Sequence, residues 1–346
     1  MQFSDIQGQD KAIHILQCAI QNGHIAHAYL FTGPEGVGKK QTALALARYL
    51  NCAAPDSQTF TSCGRCPSCI QADSGSHPDL LILEPDGNSI KIEQIRTLLS
   101  KVSLRSYENT YKVILINDAH LMTEQAANCL LKTLEEPTDN TVFLLITSQV
   151  QNLPVTILSR CQQISFNLLS PAMIQDILQN LHPERQSQIG LVTALAKGSV
   201  STAETLLANE EIAETRQDFY NLLIRLAQSS PAQIIGWCEK WDKNIKMVKT
   251  LLELGQLWYH DALMINTAGQ IQLLVNQDYL APLKSQQIKP QHLLQILQYF
   301  QTGMAQLESN ASPRLVLEIA LLKTQTALTA KPKEVSYVCY CDWRPF

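Results

Sequence analysis

The chain of 346 residues lacks several features that define special classes of protein. No apolar run is long enough to span a bilayer, and Met1–Asp5 does not begin a basic and apolar signal segment. We therefore expect a cytoplasmic protein. Hydrophobic residues make up 45% of the chain and charged residues 17%, as in ordinary soluble globular proteins.

An excess of positive charge is also missing. The formal net charge is −4, and residues 1–166 contain 12 Lys and Arg against 15 Asp and Glu, a net charge of −3. This balance excludes a domain that binds nucleic acid through a broadly basic surface. Any contact with DNA would depend on a few local Lys or Arg residues, or on the positive field of a larger assembly.

One residue type is missing from a phosphate-binding motif. The run Gly33–Lys40 has P-loop spacing, in which backbone N–H groups surround phosphate and the first lysine reaches the outer phosphates. The last position normally carries Ser or Thr, whose hydroxyl binds magnesium, but here it is lysine. We expect this loop to hold phosphate weakly and to be poorly suited to cleave it. The candidate residues are Gly33, Gly36, Gly38, Lys39 and Lys40.

The second sequence element of an ATPase, the acidic end of an apolar strand, also lacks its usual residues. An apolar strand should end in two acids, one for the metal and one to activate water. Here the strand ends in Asn117 and Asp118. Asn117 supplies no negative charge, and Asp118 is one methylene shorter than the usual glutamate. Alternatively, Asp118 only caps the helix that follows.

Apolar strands alternate with helical patterns as far as Phe166, which predicts a parallel α/β sheet covered on both faces. After Phe166 the strand signal disappears and helical periodicity dominates. The predicted strands are His27–Phe31, Asp79–Leu83, Lys112–Ile116 and Thr141–Ile146, and the predicted helices are Gln9–Gln21, Gln41–Leu50, Ile90–Val102 and Thr123–Glu136. The predicted domains are 1–166, 167–209 and 210–330, followed by a tail, 331–346.

Ten cysteines in a cytoplasmic chain favour free thiols or metal binding over disulfides. Four of them have the spacing C-x10-C-x2-C-x2-C within residues 52–69, which predicts a closed, structural zinc site that gives this loop-like module its fold. The predicted ligands are Cys52, Cys63, Cys66 and Cys69. The alternatives are free thiols, a redox pair, or His77 in place of one cysteine.

An arginine follows the last predicted strand, in the run Ile157–Cys161. Arg160 has the position from which an arginine could reach a phosphate in a neighbouring subunit. The alternative is a surface arginine in an ion pair.

Taken together and in order, these motifs resemble the bacterial clamp-loader branch of the AAA+ ATPases. The resemblance covers about residues 1–325, and its most specific parts are the boxes Leu-Leu-Lys-Thr-Leu-Glu-Glu-Pro and Ser-Arg-Cys. The matching segments are Ala26–Phe31, Gly33–Lys40, the four cysteines, Leu130–Pro137, Ile157–Cys161 and Asn310–Glu318.

The resemblance implies an AAA+ P-loop domain with a zinc-binding insertion, a small helical lid domain and an all-α collar that joins subunits. Two kinds of subunit share these boxes: an ATP-hydrolysing motor, and a stationary subunit with weak or no ATPase activity. This chain departs from the motor pattern at Lys40, at Asn117–Asp118 and after Gly198–Ser199, where the lid arginine is absent. It therefore resembles the stationary kind, for which we expect weak or absent ATP binding and no hydrolysis.

The resemblance also implies partners and a role for Arg160. The arginine would complete the ATP site of an adjacent motor subunit, in a hetero-pentamer of motor subunits and a delta subunit that loads a sliding clamp onto primer-template DNA during replication. Basic residues that could face DNA, or simply form solvated helix faces, are Lys91, Arg96, Lys101, Arg105 and Lys132. The alternative functions are an active motor ATPase, with Asp118 as base, and a zinc-dependent interaction module on an AAA+ scaffold.

Overall fold

The computed structural model of the chain describes residues 2–87, 89–102, 111–268, 274–309 and 311–329. The predicted tail 331–346, Arg105 and Asn310 lie outside these residues. The chain divides into two compact units, Met1–Leu207 and Ala208–Phe346. The proposed boundary between a P-loop domain and a lid domain falls within the first unit, and the division into three domains stays a prediction.

Five strands of the first unit form one parallel sheet. Their bounds are β1 (Ala28–Thr32), β2 (Leu80–Leu83), β3 (Lys112–Ile116), β4 (Thr141–Thr147) and β5 (Gln162–Ser165). Their order across the sheet is β2-β3-β4-β1-β5, and every pairing is parallel. The predicted parallel α/β fold is confirmed, and the four predicted strands agree with β1–β4 to within one residue at each end.

The sheet is buried because its central strands are apolar on both faces. In β1, Tyr29 and Phe31 pack into a core cluster on one face, whereas Leu30 packs into a second cluster on the other. Successive strand residues point to opposite faces, so an unbroken apolar run buries both of them. Each fully buried side chain of this size stabilises the fold by about 1.5–3 kcal/mol.

Strand β5 was not predicted. Its sequence is Gln162-Gln163-Ile164-Ser165, and Ile164 is its one buried residue. A short, mostly polar segment carries too little apolar signal to be recognised, and it is tolerated here because β5 lies at an edge of the sheet and pairs with β1 alone.

Helices connect and cover the strands of the first unit, and several begin at a capping side chain. Thr123 Oγ1 accepts a hydrogen bond from Ala126 N (3.3 Å), and Ser170 Oγ accepts one from Met173 N (3.3 Å). Pro171 then occupies the first helical position. The helices are α1 (Asp10–Gln21), α2 (Lys39–Leu50), α3 (Pro67–Asp73), α4 (Ile92–Val102), α5 (Glu124–Glu135), α6 (Val155–Leu158), α7 (Pro171–Leu181), α8 (Gln186–Ala196) and α9 (Val200–Ala208).

In its described residues, the second unit is helical. Its helices are α10 (Glu210–Arg225), α11 (Pro231–Cys238), α12 (Ile245–Ala268), α13 (Leu280–Ser285), α14 (Pro290–Glu308) and α15 (Pro313–Thr329). Helices α12 and α14 approach closely at Gly255, where an added Cβ would lie 2.3 Å from the Phe300 ring. None of the helices in the described residues combines the length and apolarity needed to cross a membrane.

A buried polar network lies within the second unit. The Asp261 carboxylate accepts hydrogen bonds from Asn276 N (2.8 Å) and Asn276 Nδ2 (2.9 Å), and the Tyr220 hydroxyl donates to Asn276 Oδ1 (2.8 Å). Burial of Asp261 without these donors would be costly, so the network fixes the segment around Asn276 against α12.

Candidate functional site

The phosphate loop lies between β1 and α2, at the carboxyl edge of the sheet. Three glycines adopt positive φ angles there: 136° at Gly33, 72° at Gly36 and 97° at Gly38. These values are costly for residues with a Cβ atom, so the glycines are needed for the turn. The strand, loop and helix follow one another as the motif requires.

The ammonium group of Lys39 is turned onto the loop itself. Its Nζ donates to the carbonyl oxygens of Gly33 (2.6 Å) and Pro34, and the residue is 6% exposed. Burial lowers the pKa of Lys39, an effect that the nearby charges of Asp118 and Glu35 partly oppose. To bind phosphate, Lys39 would have to exchange these carbonyl acceptors for phosphate oxygens.

The start of α9 packs directly on the loop. The Gly36 carbonyl accepts hydrogen bonds from Val200 N (3.0 Å) and Ser201 N (3.4 Å). An added Cβ at Gly36 would lie 2.2 Å from Ser199 Oγ and 2.3 Å from Ser201 Oγ. The small side chains of Ser199 and Ser201 therefore lie beside the loop, in the segment where the resemblance led us to expect an arginine.

Gln9 links the loop to the segment before α7, a role that the sequence did not reveal. Its Nε2 donates to Val37 O (3.2 Å) and Asn167 O (2.8 Å), and its Oε1 accepts from Asn167 N (3.1 Å). A glutamine before an amphipathic helix is expected to be exposed, yet Gln9 is 3% exposed.

Beside the loop lies a cavity of about 360 Å³, lined by Ile6, Gly38, Ile177 and Val200 among others.

The position of the magnesium ligand is occupied by an ion pair. Lys40 Nζ lies 2.7 Å from Glu84 Oε1, and Asn117 Nδ2 donates to Glu84 Oε2 (3.1 Å) and to Asp118 Oδ2 (3.1 Å). An ammonium group does not coordinate cations, and here the Lys40 ammonium and the Asn117 amide N–H group face the carboxylates that could otherwise bind one. This arrangement does not fit the magnesium ion of an active P-loop site. Glu84 was not predicted, since one acid after a strand carries no motif.

The helix-capping interpretation of Asp118 is not supported. Asp118 precedes a 3-10 turn, Ala119–Leu121, and its side chain makes no capping hydrogen bond there. Its backbone is left-handed, with a φ of 47°. Its carboxylate accepts instead from the neighbouring Asn117 amide.

The four predicted cysteines converge. The Sγ atoms of Cys52, Cys63, Cys66 and Cys69 all lie within 4.8 Å of one another. Four sulfurs at this spacing suit one tetrahedral metal ion, whose ligands leave no position open for catalysis. His77 is not part of this group, because its Nε2 contacts Ser68 Oγ (2.9 Å) and its Nδ1 accepts from Asp79 N (3.1 Å).

The backbone around the cysteines favours thiolates at some positions. Hydrogen bonds from the N–H groups of Arg65 and Cys66 lower the pKa of Cys63 to about 6. Burial tends to raise the pKa of Cys66, but N–H groups of Ala53 and Cys69 outweigh it and the net shift is downward. Burial instead raises the pKa of Cys52 to about 11. Thiolates are the ligands of soft metals and metal binding releases the thiol protons, so the four clustered sulfurs fit zinc by their chemistry and spacing.

The cysteine module is attached to α2 at two points. Arg48 Nη1 forms an ion pair with Asp73 Oδ1 (2.7 Å), and the rings of Tyr49 and Phe60 lie 6.2 Å apart. The isolated bridge between Asp56 and Thr61 is its short element of β structure. The module therefore has little apolar core of its own, since Phe60 packs into the core cluster that contains Tyr49.

Arg160 lies between α6 and β5. Its Nη2 lies 2.5 Å from Glu135 Oε1, and its Nη1 donates to Thr156 O (2.9 Å) and Ser159 Oγ (3.2 Å). Within this chain, Arg160 therefore forms the surface ion pair that was the alternative interpretation of this residue. The side chain is 33% exposed.

The candidate DNA contacts within the described residues lie on or beside two packed helices. Arg96 and Lys101 lie on α4, Lys91 directly precedes it, and Lys132 lies on α5. All four are exposed. Their placement is compatible with DNA contact and equally with a solvated surface, so this role stays a prediction.

Comparison with known proteins identifies the family. The family model described as DNA polymerase III, delta subunit matches residues 8–170. DNA polymerase III subunit delta' of Bacillus subtilis is 35% identical over 313 residues, which cover 89% of this chain and 91% of the relative. DNA polymerase III subunit tau of Escherichia coli is 37% identical over 211 residues, or 59% of this chain and 32% of tau.

A solved structure from Thermotoga maritima, a DNA polymerase III gamma subunit-related protein, aligns with 92% of this chain and 99% of its own, at 18% identity and a TM-score of 0.46. The similarity to the Bacillus subtilis delta' subunit extends over nearly the whole of both chains, whereas the similarity to tau covers 32% of tau. This chain belongs to the family of DNA polymerase III delta' subunits.

Proposed function

We propose that this chain is a non-hydrolysing clamp-loader subunit, which supplies an arginine to the ATP site of a neighbouring motor subunit and helps to place the sliding clamp on primed DNA. The observation that carries the proposal is a contrast between two sites. At the chain's own loop, Lys40 is paired with Glu84 where a magnesium ligand belongs. By contrast, the partly exposed Arg160 has guanidinium donors that its contacts with Glu135, Thr156 and Ser159 do not use.

Arg160 would act on the neighbour's nucleotide. When water attacks the γ-phosphorus and the bond to the β-phosphate oxygen breaks, negative charge is distributed over the phosphoryl oxygens. A guanidinium placed against these oxygens stabilises that charge through paired N–H donors. Residues of this chain would contribute nothing else to the reacting atoms.

The partners proposed for the chain are the motor subunits, the delta subunit, the sliding clamp and, through the assembly, primer-template DNA. The helices α10–α15 would hold the chain in a hetero-pentamer. Because residues 1–166 have no net positive charge, DNA affinity would come mainly from the assembly rather than from this chain.

The four cysteines would hold a structural zinc ion, which would link the loop before α3 to the end of α2. Zinc bound by four sulfurs contributes fold energy and no catalysis. The zinc module would thereby stabilise the first unit without taking part in nucleotide chemistry.

The proposal is tested by an ATPase assay of the purified chain beside a loader reconstituted from its subunits. We expect no turnover by the chain alone, because position 40 offers no oxygen ligand and position 117 offers an uncharged amide in place of a carboxylate. We expect DNA-stimulated turnover by the loader that decreases when this chain is omitted. Turnover by the purified chain would instead favour the second candidate, an active motor ATPase, which the 37% identity to tau makes worth testing.

A further prediction concerns Glu135, which contacts Arg160. Glu135→Ala is expected to lower kcat of the loader ATPase by about 2–5-fold, because an exposed ion pair of about 0.2–1 kcal/mol would no longer orient the guanidinium. KM for ATP should change little, since the neighbour binds the nucleotide. Steady-state kinetics at several ATP concentrations measures both constants.

The matched control is Glu136→Ala, which removes an exposed glutamate next in sequence. The ion pair of Arg160 is with Glu135, so this variant should behave like the unaltered chain. Equal effects of the two substitutions, or a faster loader with Glu135→Ala, would contradict an orienting role for Glu135.

A further inference from the structure

A connected group of charged and polar side chains lies where an active P-loop protein holds magnesium. Lys40 comes from the first turn of α2, Glu84 directly follows β2, and Asn117 directly follows β3. The Glu84 carboxylate uses one oxygen for the Lys40 ammonium (2.7 Å) and the other for the Asn117 amide (3.1 Å). The same amide nitrogen donates to Asp118 Oδ2 (3.1 Å).

The pairing of β2 with β3 brings Glu84 and Asn117 into contact. Leu83 is paired in register with Ile116, so the residue after each strand emerges at the same level of the carboxyl edge. Two hydrogen bonds hold this edge in place: Asn117 N donates to Leu83 O (3.0 Å), and Gln94 Nε2 donates to Glu84 O (3.2 Å). The contact therefore follows from strand pairing.

The residues of the group match one another in charge. Asn117 separates two carboxylates, Glu84 and Asp118, by donating to both of them. An aspartate at position 117 would place three carboxylates side by side with no donor between them, and like charges at such distances repel. Asn117 and Lys40 therefore both complement Glu84. The two residues form one arrangement, and they are not simply two unrelated losses of a metal ligand.

We propose that the Lys40 ammonium is a tethered substitute for the divalent cation, held by Glu84 and Asn117, and that it makes any phosphate binding by this loop independent of magnesium. A lysine carries a compact positive charge on a flexible stem and offers no lone pair to a metal. It can neutralise the carboxylates here and at the same time exclude a second cation from them. This inference deepens the proposed non-hydrolysing role and rests on it.

The test is calorimetric titration of the full chain with ATP, with and without added magnesium, in buffer free of chelator so that the cysteine site is undisturbed. The informative variant is Lys40→Thr, which removes the tethered charge and supplies a hydroxyl oxygen beside Glu84 and Asp118. Its matched control is Lys40→Met, which removes the charge but supplies no oxygen ligand for a hard cation. Since Lys40 is 44% exposed, both substitutions should leave the fold intact, which thermal unfolding of each variant checks.

We expect magnesium to change the ATP affinity of the unaltered chain by less than about twofold. In magnesium-free buffer, Lys40→Met should bind ATP about tenfold more weakly than the unaltered chain, because the tethered positive charge is gone. Magnesium should tighten ATP binding to Lys40→Thr by about tenfold or more, equivalent to about 1.4 kcal/mol. A tenfold magnesium effect on the unaltered chain, or equal magnesium-free ATP affinities of the unaltered chain and Lys40→Met (undetectable binding by both included), overturns the inference.

ATP turnover measured in the same samples separates this inference from the proposed function. If the unaltered chain bound ATP in a magnesium-dependent way without turnover, the inference of a tethered cation would be wrong but the non-hydrolysing role would stand. Turnover of ATP by the unaltered chain would contradict both the tethered cation and the non-hydrolysing role.

Discussion

Arg160→Ala is expected to lower the ATPase rate of the reconstituted loader by about 10³-fold or more at the neighbouring site, as for arginine fingers supplied in trans. The physical reason is that charge developing on the phosphoryl group would lose its guanidinium partner in a water-poor site. Arg160→Lys should restore a small part of the rate, because an ammonium keeps the charge but not the planar pair of donors. Single-turnover hydrolysis with the assembled loader measures the effect.

Two controls separate catalysis from assembly. Arg65→Ala removes an exposed arginine of the same unit, in the cysteine module, and should leave the rate unchanged. Size-exclusion chromatography should show that the loader with Arg160→Ala contains all its subunits. A loader with Arg160→Ala that hydrolyses ATP at the normal DNA-stimulated rate would exclude the role proposed for Arg160, whatever the state of the complex.

The second large effect is expected on removal of the proposed zinc ion. Zinc contributes about 10–16 kcal/mol to the folding of small zinc-finger peptides, and the cysteine module has little apolar core of its own. Cys66→Ser should therefore abolish zinc binding and lower the melting temperature of the first unit by about 10 °C, because even a fraction of that energy is large when 1 kcal/mol corresponds to about 2–4 °C. Metal analysis and calorimetric unfolding on the same sample measure both changes.

Cys18→Ser is the matched control, since Cys18 lies on α1 and is not among the four clustered sulfurs. It should keep its zinc and its melting temperature. Absence of zinc from the unaltered chain, or retention of zinc by Cys66→Ser, would disprove the site. If Cys66→Ser instead kept its stability but failed to join one specific subunit, the interaction-module alternative would be favoured.

Different parts of the site could be predicted to different extents. The phosphate loop and the four cysteines are local patterns whose spacing alone restricts the geometry, and the sulfurs do converge. Strand β5 was missed because a polar edge strand shows little periodicity. Gln9 and Glu84 were missed because neither lies in a motif; their importance comes from partners that the fold brings to them.

The sequence by itself determined the fold class, the residue types that replace the usual magnesium ligands and the candidate zinc ligands, because these depend on residue type and on spacing within a few turns or strands. The tertiary structure decided which distant residues meet. Glu84 reaches Lys40 across 44 positions, and Glu135 reaches Arg160 across 25. Strand register and helix packing set such contacts, and these arise from burial of the whole sheet, which no local pattern contains.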